Sequence, residues 1–470
     1  MLTIYDGGAS LCDGITRREW LRIGSLGAFG LGLQGLVRAR EATSADQGSV
    51  FGRAKACIVL FLMGGPPQHE TWDPKPNAPV EIRGDLKPIS SSVPGFQVGE
   101  LMPRTARLAH RVSALRAVSS NDNAHSSSGY WMLTGTPHQP MNSENARPGA
   151  PNDWPCLGAV VKHVRQSHGR PTTLLPAAVT LPEHIWNTGM IPWPGQNAGF
   201  LGRRADPWLL VCDPAQPNYQ VPELGLSSEV PALRFQSRQS LLEQVNRHLD
   251  GTERSGAVAK FDVQTQQAFG LLSSSQARRA FDLMREPPAV RDRYGHHRFG
   301  QSVLLARRLV EAGVSLVQVN WTREAGGSDS NPVWDTHQKN SERLKTALMP
   351  PMDLAYSALL EDLADRGILE STVVVWMGEF GRTPKINGSG GRDHWGHVFS
   401  VALAGGGVRG GQFLGASDRI GAFPKDGRVP PHDLVATIYH CLGISPDTEL
   451  RDALNRPVPA CRGEVLRQVF

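Results

Sequence analysis

STVVVWMGEFGRTPKINGSGGRDHWGHVFSVAL, residues 371–403, is the stretch whose reading decides the fold. It opens with Val373, Val374, Val375 and Trp376, an apolar, β-branched run too short for a helix and therefore a strand. Gly378 and Gly381 then let the backbone turn sharply around Glu379 and Phe380. A polar, glycine-rich loop follows, and Asp393-His394-Trp395 stands just before a second apolar run, Val398–Leu403. In open α/β sheets ligands collect at the carboxyl ends of strands. Glu379 at one strand end, and Asp393-His394 leading into the next strand, are therefore candidate site residues. The alternative is a loop ion pair, with Arg382 or Arg392 as the partner of Glu379 or Asp393.

The same layout recurs upstream. The amphipathic helix SVLLARRLVEAG leads into an apolar strand, Val314–Val319. A loop rich in Gly, Ser and Asn then ends in Trp334-Asp335-Thr336-His337. On extended backbone, side chains two apart share a face, so Asp335 and His337 can reach one ion. A carboxylate with one or two imidazoles suits zinc or a borderline divalent metal. The best buried strand, Ala56–Met63, runs into Gly64-Gly65, with His69, Glu70 and Asp73 close behind. His69 is a further candidate metal ligand, or else a loop histidine bonded to a carbonyl.

Taken together, LLARRLVEAGVSLVQV, WDTH, VVVWMGEFGRTP and GRDHWGHVFSVALAGGGVRGG resemble an uncharacterised bacterial family of exported proteins. That family, a domain of unknown function, is grouped with the alkaline phosphatase and sulfatase superfamily, and the likeness runs over nearly the whole chain. It implies an α/β fold with a central mixed, mostly parallel sheet flanked by helices and a metal site at the strand ends. It maps Asp335, His337 and His394 onto one metal position, with Asp393 orienting His394 through its other ring nitrogen. Glu379 falls where a second metal's aspartate would be. The histidine expected next is Phe380, and the first-strand aspartate is a glycine, so the second metal site looks eroded.

Leu133-Thr134-Gly135 is similar to the end of the sulfatase nucleophile motif, and counting back puts His125 at the nucleophile's place. No C-x-P-x-R is present, so formylglycine formation is not supported. Ser126 and its neighbours Ser127 and Ser128 are nucleophile candidates or helix caps. The expected partner is a small-molecule or polysaccharide sulfate or phosphate ester, whose anionic group Arg382 and Arg392 can hold by paired hydrogen bonds. One ion (zinc first, with calcium or manganese as alternatives) and an open coordination position suffice to activate water for a metal-dependent hydrolase. Loss of the standard nucleophile and of the second metal points instead to a non-catalytic, metal-stabilised binding or envelope protein.

With 470 residues, 40% of them hydrophobic, the chain can bury a full core. Its net charge of +5 is scattered, and no nucleic-acid motif accompanies it, so no nucleic-acid partner is expected. Thr16-Arg17-Arg18-Glu19-Trp20-Leu21-Arg22 is a twin-arginine pattern, and the mild apolar run after it is too short for a membrane span. Residues 1–42 thus read as a signal segment for twin-arginine export to the periplasm or beyond. Residues 43–470 read as one sulfatase-like domain with no transmembrane anchor and a helical insertion at about 225–290. The six cysteines include no C-x-x-C and indicate no disulfide framework. The periodicity also predicts helices at Met102–His110, Leu157–Gln166 and Leu434–Leu442, and strands at Val112–Val118 and Leu174–Leu181. Residues Gly195–Gly202 are expected as a wall of the site.

Overall fold

The six apolar runs predicted as strands all lie in one eight-stranded sheet of the computed structural model, which describes residues 50–167, 175–187, 191–217, 219, 221, 274–323 and 333–470. The twin-arginine segment and most of the expected insertion lie outside the described residues; from the insertion, helical turns at Ser275–Phe281 and Pro288–Tyr294 are seen. Along the chain the sheet strands are β1 (Ala56–Leu62), β2 (Val112–Val118), β3 (Ala178–Leu181), β4 (Trp208–Leu209), β5 (Leu316–Trp321), β6 (Thr372–Met377), β7 (Phe399–Ala404) and β8 (Gln412–Leu414). Their order is β8-β2-β7-β6-β1-β5-β3-β4. Only β7 runs against its neighbours, pairing antiparallel with β6 and β2; every other pairing is parallel. The expected mixed, mostly parallel sheet is what forms.

The longer helices are α1 (His125–Thr134), α2 (Leu157–Ser167), α3 (Arg298–Glu311), α4 (Met349–Asp365) and α5 (Pro431–Cys441). α3 packs on β1 and β5 and against α4, α2 lies on β3 and β5, and α1 packs against α5. Because helices cover the sheet, every residue of β1, β5, β6 and β7 is buried, which is why β1 and β6 read as nearly continuous apolar runs rather than alternating ones. α1 is buried on all sides and stops at Gly135, whose φ of 73° is the left-handed conformation that closes helices. The predicted helix at Met102–His110 is shorter, Pro103–Arg107. Ser92 replaces its next helical bond: the Ser92 N–H takes the Ala106 carbonyl, and Ser92 Oγ takes the His110 N–H.

The strand directions explain where chemistry can gather. β1, β2, β5 and β6 are mutually parallel, so their carboxyl ends lie on one rim of the sheet, and antiparallel β7 begins there. Gly64 follows β1, Asn123 and His125 follow β2, Arg323 follows β5, Glu379 follows β6, and His394 precedes β7. Five distant segments therefore deliver polar groups, backbone or side chain, to one place.

Candidate metal centre

Asp335 is the hub. Its segment docks on the end of β1, where the Trp334 N–H donates to the Met63 carbonyl (2.9 Å). This approach requires Gly64 to lack a side chain: a Cβ there would lie 2.3 Å from the Asp335 nitrogen, and its φ of 110° disfavours other residues. The freed Gly64 N–H donates to Glu379 Oε1 (2.8 Å). The glycine standing where a first-strand aspartate was expected thus has a structural cause.

Three imidazoles surround the Asp335 carboxylate. His125 Nε2 lies 3.2 Å from Oδ2, while His337 Nε2 and His394 Nε2 lie 3.0 and 3.1 Å from Oδ1. In each ring the opposite nitrogen is held by an acceptor. His125 Nδ1 donates to Glu379 Oε1 (2.6 Å), His337 Nδ1 to Asp393 Oδ1 (2.7 Å), and His394 Nδ1 to the Asn123 carbonyl (2.7 Å). A ring whose Nδ1 carries the proton presents Nε2 as the free donor, the second-sphere pattern of metal-ligating histidines. Asp393 therefore orients His337, and the expectation that it orients His394 is corrected: that ring is held by a backbone carbonyl from the β2 end.

In the metal-free centre, protons and guanidinium charge balance the Asp335 carboxylate. Burial alone would raise the Asp335 carboxyl, but bonds from the three histidines and the charge of Arg382 hold it well below the usual carboxylate range. Burial lowers His394, against the pull of Asp335, which favours its neutral form. Its Nδ1 proton is committed to Asn123, so neutral His394 presents an unprotonated Nε2, 2.9 Å from His337 Nε2 and 3.1 Å from Asp335 Oδ1. Burial also works against charge on His125, yet Asp335 and Glu379 reverse this and push it up to about 9. Its Nε2 has no hydrogen bond of acceptable geometry despite the short distance, and Glu379 Oε2 is likewise buried without a partner.

One atom each from His125, Asp335 and His394 lie within 4.8 Å of one another. Ligand atoms on a tetrahedral ion with bonds of about 2.1 Å would be about 3.4 Å apart, so the donor set fits a zinc-type ion. The trio differs from the expected Asp335, His337 and His394: all three of those residues are gathered, and His125 joins them from the nucleophile's place. His337 sits on the solvent side, 42% exposed beside a 53% exposed Asp393, whereas His125 and Glu379 are buried behind.

The remaining candidates have other duties. Ser126 Oγ faces the 143–146 loop, with the carbonyls of Ser143 and Glu144 as acceptors and the Ala146 N–H as donor. Ser127 Oγ donates to Asp122 and Ser128 Oγ to the Glu379 carbonyl, and the helix cap itself is Ala124. His69 Nε2 bonds the Ile420 carbonyl (2.8 Å), and burial together with Arg392 pushes it down to about 3. Arg392 is spent on Glu70 (2.6 Å) and the carbonyls of Ile82, Thr383 and Pro384, so it forms no anion clamp. Arg382, also fully buried, donates to Asp335 Oδ1 (2.6 Å) and to the carbonyls of Gly64, Gly65 and Arg392. Arg323 was missed: it lies 3.2 Å from Asp335 Oδ2 with a 32% exposed side chain. Its place just after β5 was the available signal.

Residues 54–470 match the family described as "Protein of unknown function (DUF1501)", and the chain belongs to that family. No curated protein matches the chain. Among solved structures, Ps i-CgsB in complex with k-i-k-neocarrahexaose is 13% identical, covering 83% of this chain and 72% of that one, with a TM-score of 0.40. The PsFucS1 sulfatase from Pseudoalteromonas sp. is 14% identical over 86% and 70% of the two chains, with a TM-score of 0.37. The phosphonate monoester hydrolase SpPMH from Silicibacter pomeroyi is 12% identical over 87% and 75%, with a TM-score of 0.39. At these scores the likenesses carry no argument about activity. No helix among the described residues is long and apolar enough to cross a membrane.

Proposed function

We propose that this member of the DUF1501 family holds one divalent metal ion between His125, Asp335 and His394 and hydrolyses sulfate or phosphate esters there. The observation that carries the reading is the common setting of the three imidazoles, each with Nδ1 held by an acceptor and Nε2 turned to one carboxylate. When bound, the ion supplies Lewis acidity toward an ester oxygen, and the nitrogen-rich donor set favours zinc over calcium or manganese.

The chain's own residues divide the remaining work. Glu379 and the Asn123 carbonyl fix the His125 and His394 rings, and Arg382 keeps Asp335 ionised. Arg323, on the solvent side, binds the oxygens of an incoming anionic group. The bond from Asp335 biases His337 toward its protonated form, with burial opposing. With Asp393 behind it, that ring donates a proton to the leaving oxygen at the exposed edge. No side-chain hydroxyl or thiol among the described residues bonds to Asp335 or the three imidazoles, so water is the attacking group. The Arg17-Arg18 pair supports export of this activity by the twin-arginine route; lysine at both positions should hold the precursor inside.

One observation favours the non-catalytic alternative. The fully buried Arg382 guanidinium lies 2.6 Å from Asp335 Oδ1, a fixed cation already paired with the carboxylate that would hold the ion. The two readings separate in one experiment: metal analysis of purified protein beside a panel of aryl sulfates, aryl phosphates and phosphonate monoesters. The enzyme reading expects close to one equivalent of metal, turnover abolished by chelator, and turnover nearly intact in S126A, S127A and S128A. Bound metal without turnover, and an anionic ligand that raises the melting temperature, would favour the alternative.

A further inference from the structure

A cavity of about 440 Å³ opens beside the centre, within the roughly 300–1,000 Å³ range of small-molecule sites. Its lining includes Arg147, His184, Ile191, Pro192, Trp193 and Asn197. One of its walls touches His125, and a second belongs to the loop that holds the start of α1. The Trp193 ring stacks on the His125 ring with centroids 5.9 Å apart. Arg147 continues the loop in which the Glu144 carboxylate accepts the His125 N–H and Ala146 N–H donates to Ser126. An occupant of the cavity is therefore one side-chain layer from the candidate metal ligands.

The lining is chemically selective. Among the described residues it holds one cation, the exposed Arg147 guanidinium, and no carboxylate. His184 is lowered by burial, so its ring is a neutral donor and acceptor at pH 7, and Asn197 adds an amide. Ile191 and the prolines offer aliphatic surface. The Gln196 amide is bonded to Ile185 and to the Trp193 carbonyl, which fixes the floor. A single positive group, neutral hydrogen-bonding groups and an aliphatic face suit a hydroxylated ring carrying one negative charge.

We infer that this cavity is a subsite for an acidic sugar ring, the part of an anionic carbohydrate ester adjacent to the ester group. The inference rests on reading the neighbouring centre as an ester site and supplies that site's substrate class. In it, Arg147 pairs with the sugar's carboxylate or sulfate, His184 and Asn197 bond its hydroxyls, and Ile191 and Pro192 cover its C–H face.

The test is calorimetric titration of metal-loaded and metal-stripped protein with three probes: an unsulfated uronic-acid disaccharide, a neutral disaccharide of the same size, and inorganic sulfate. The acidic disaccharide should bind both forms of the protein, and the neutral one at least tenfold more weakly. R147Q should cost about tenfold for the acidic probe, the loss of one charge-assisted pair, with partial recovery in R147K. Inorganic sulfate should depend on the metal and not on Arg147. Absence of millimolar binding of the acidic disaccharide, or binding indifferent to R147Q, overturns the inference. If sulfate binding remains metal-dependent in that case, the metal centre stands without the subsite. If the acidic disaccharide binds while no metal is retained, the subsite stands and the metal reading falls.

Discussion

Two clusters of buried charge sit on the same rim of the sheet, and they differ in how many ring nitrogens face a carboxylate. In the first, Arg392 meets Glu70 at 2.6 Å, and its other donors go to three backbone carbonyls. The neighbouring His69 is neutral and rests on the Ile420 carbonyl. In the second, three imidazoles and the guanidinium groups of Arg382 and Arg323 converge on the single carboxylate of Asp335, with His125 Nε2 and Glu379 Oε2 left unbonded. Both leave buried side-chain atoms without a partner, His69 Nδ1 and Glu70 Oε2 in the first. But the first has one histidine, turned to a backbone carbonyl, and only the second turns three ring nitrogens to one carboxylate. Residue types alone do not separate them, since each contains histidine, carboxylate and arginine. The number of ring nitrogens turned to one carboxylate does.

Four measurements sharpen or break this contrast. The largest effect is expected from D335N, which removes the hub: metal content should fall from about one equivalent to none, because the remaining imidazoles lose their anionic partner. A fully loaded D335N protein would break the contrast at once. Next, R392M strands Glu70 in the core and should cost about 3–5 kcal/mol in chemical denaturation. Whatever protein remains folded should keep its metal, and loss of the metal would show that the two clusters are one.

The third measurement is pH. In metal-free protein His125 is raised from an ordinary value of 6.5 to about 9, so its contribution is fully present below 6.5 and is lost as pH rises through 9. The loss should be on the order of 3 kcal/mol. Metal takes the proton's place, so the loaded protein should show no such decline, and loading below pH 9 should release about one proton per ion. Parallel pH profiles with and without metal would count against His125 as a ligand. The smallest effects come from the groups behind the rings: E379Q should weaken metal binding by about 10–100-fold, and D393N, more exposed, by about tenfold or less. An equal or reversed order would move His337 from the rim into the centre.

Most of the fold was legible because the sheet is buried on both faces, so strands such as Thr372–Met377 announce themselves as unbroken apolar runs. Asp335, His337, Glu379 and His394 were legible for a related reason, since each follows or precedes such a run. What was not legible is who holds whom. His125 and Glu379 are 254 residues apart, and nothing local in either says that one orients the other. Asp393 is adjacent to His394 in sequence yet bonds His337, because neighbouring residues of an extended segment point to opposite faces. The fate of Arg392 could not be read either: whether a guanidinium greets a ligand or a carbonyl depends on loops that carry no periodic signal.

The missing side chain at Gly64 also bears on the order of events in folding. The Asp335 segment can dock only on a finished β1 edge, and Gly64 bonds Glu379 across 315 residues of chain. Contacts of such sequence separation carry a large closure entropy and belong late on the folding path. Competence to bind the ion then reports that the sheet has closed. In refolding experiments, metal uptake should trail the recovery of secondary structure, and a chain carrying its ion would be a chain whose folding is already over.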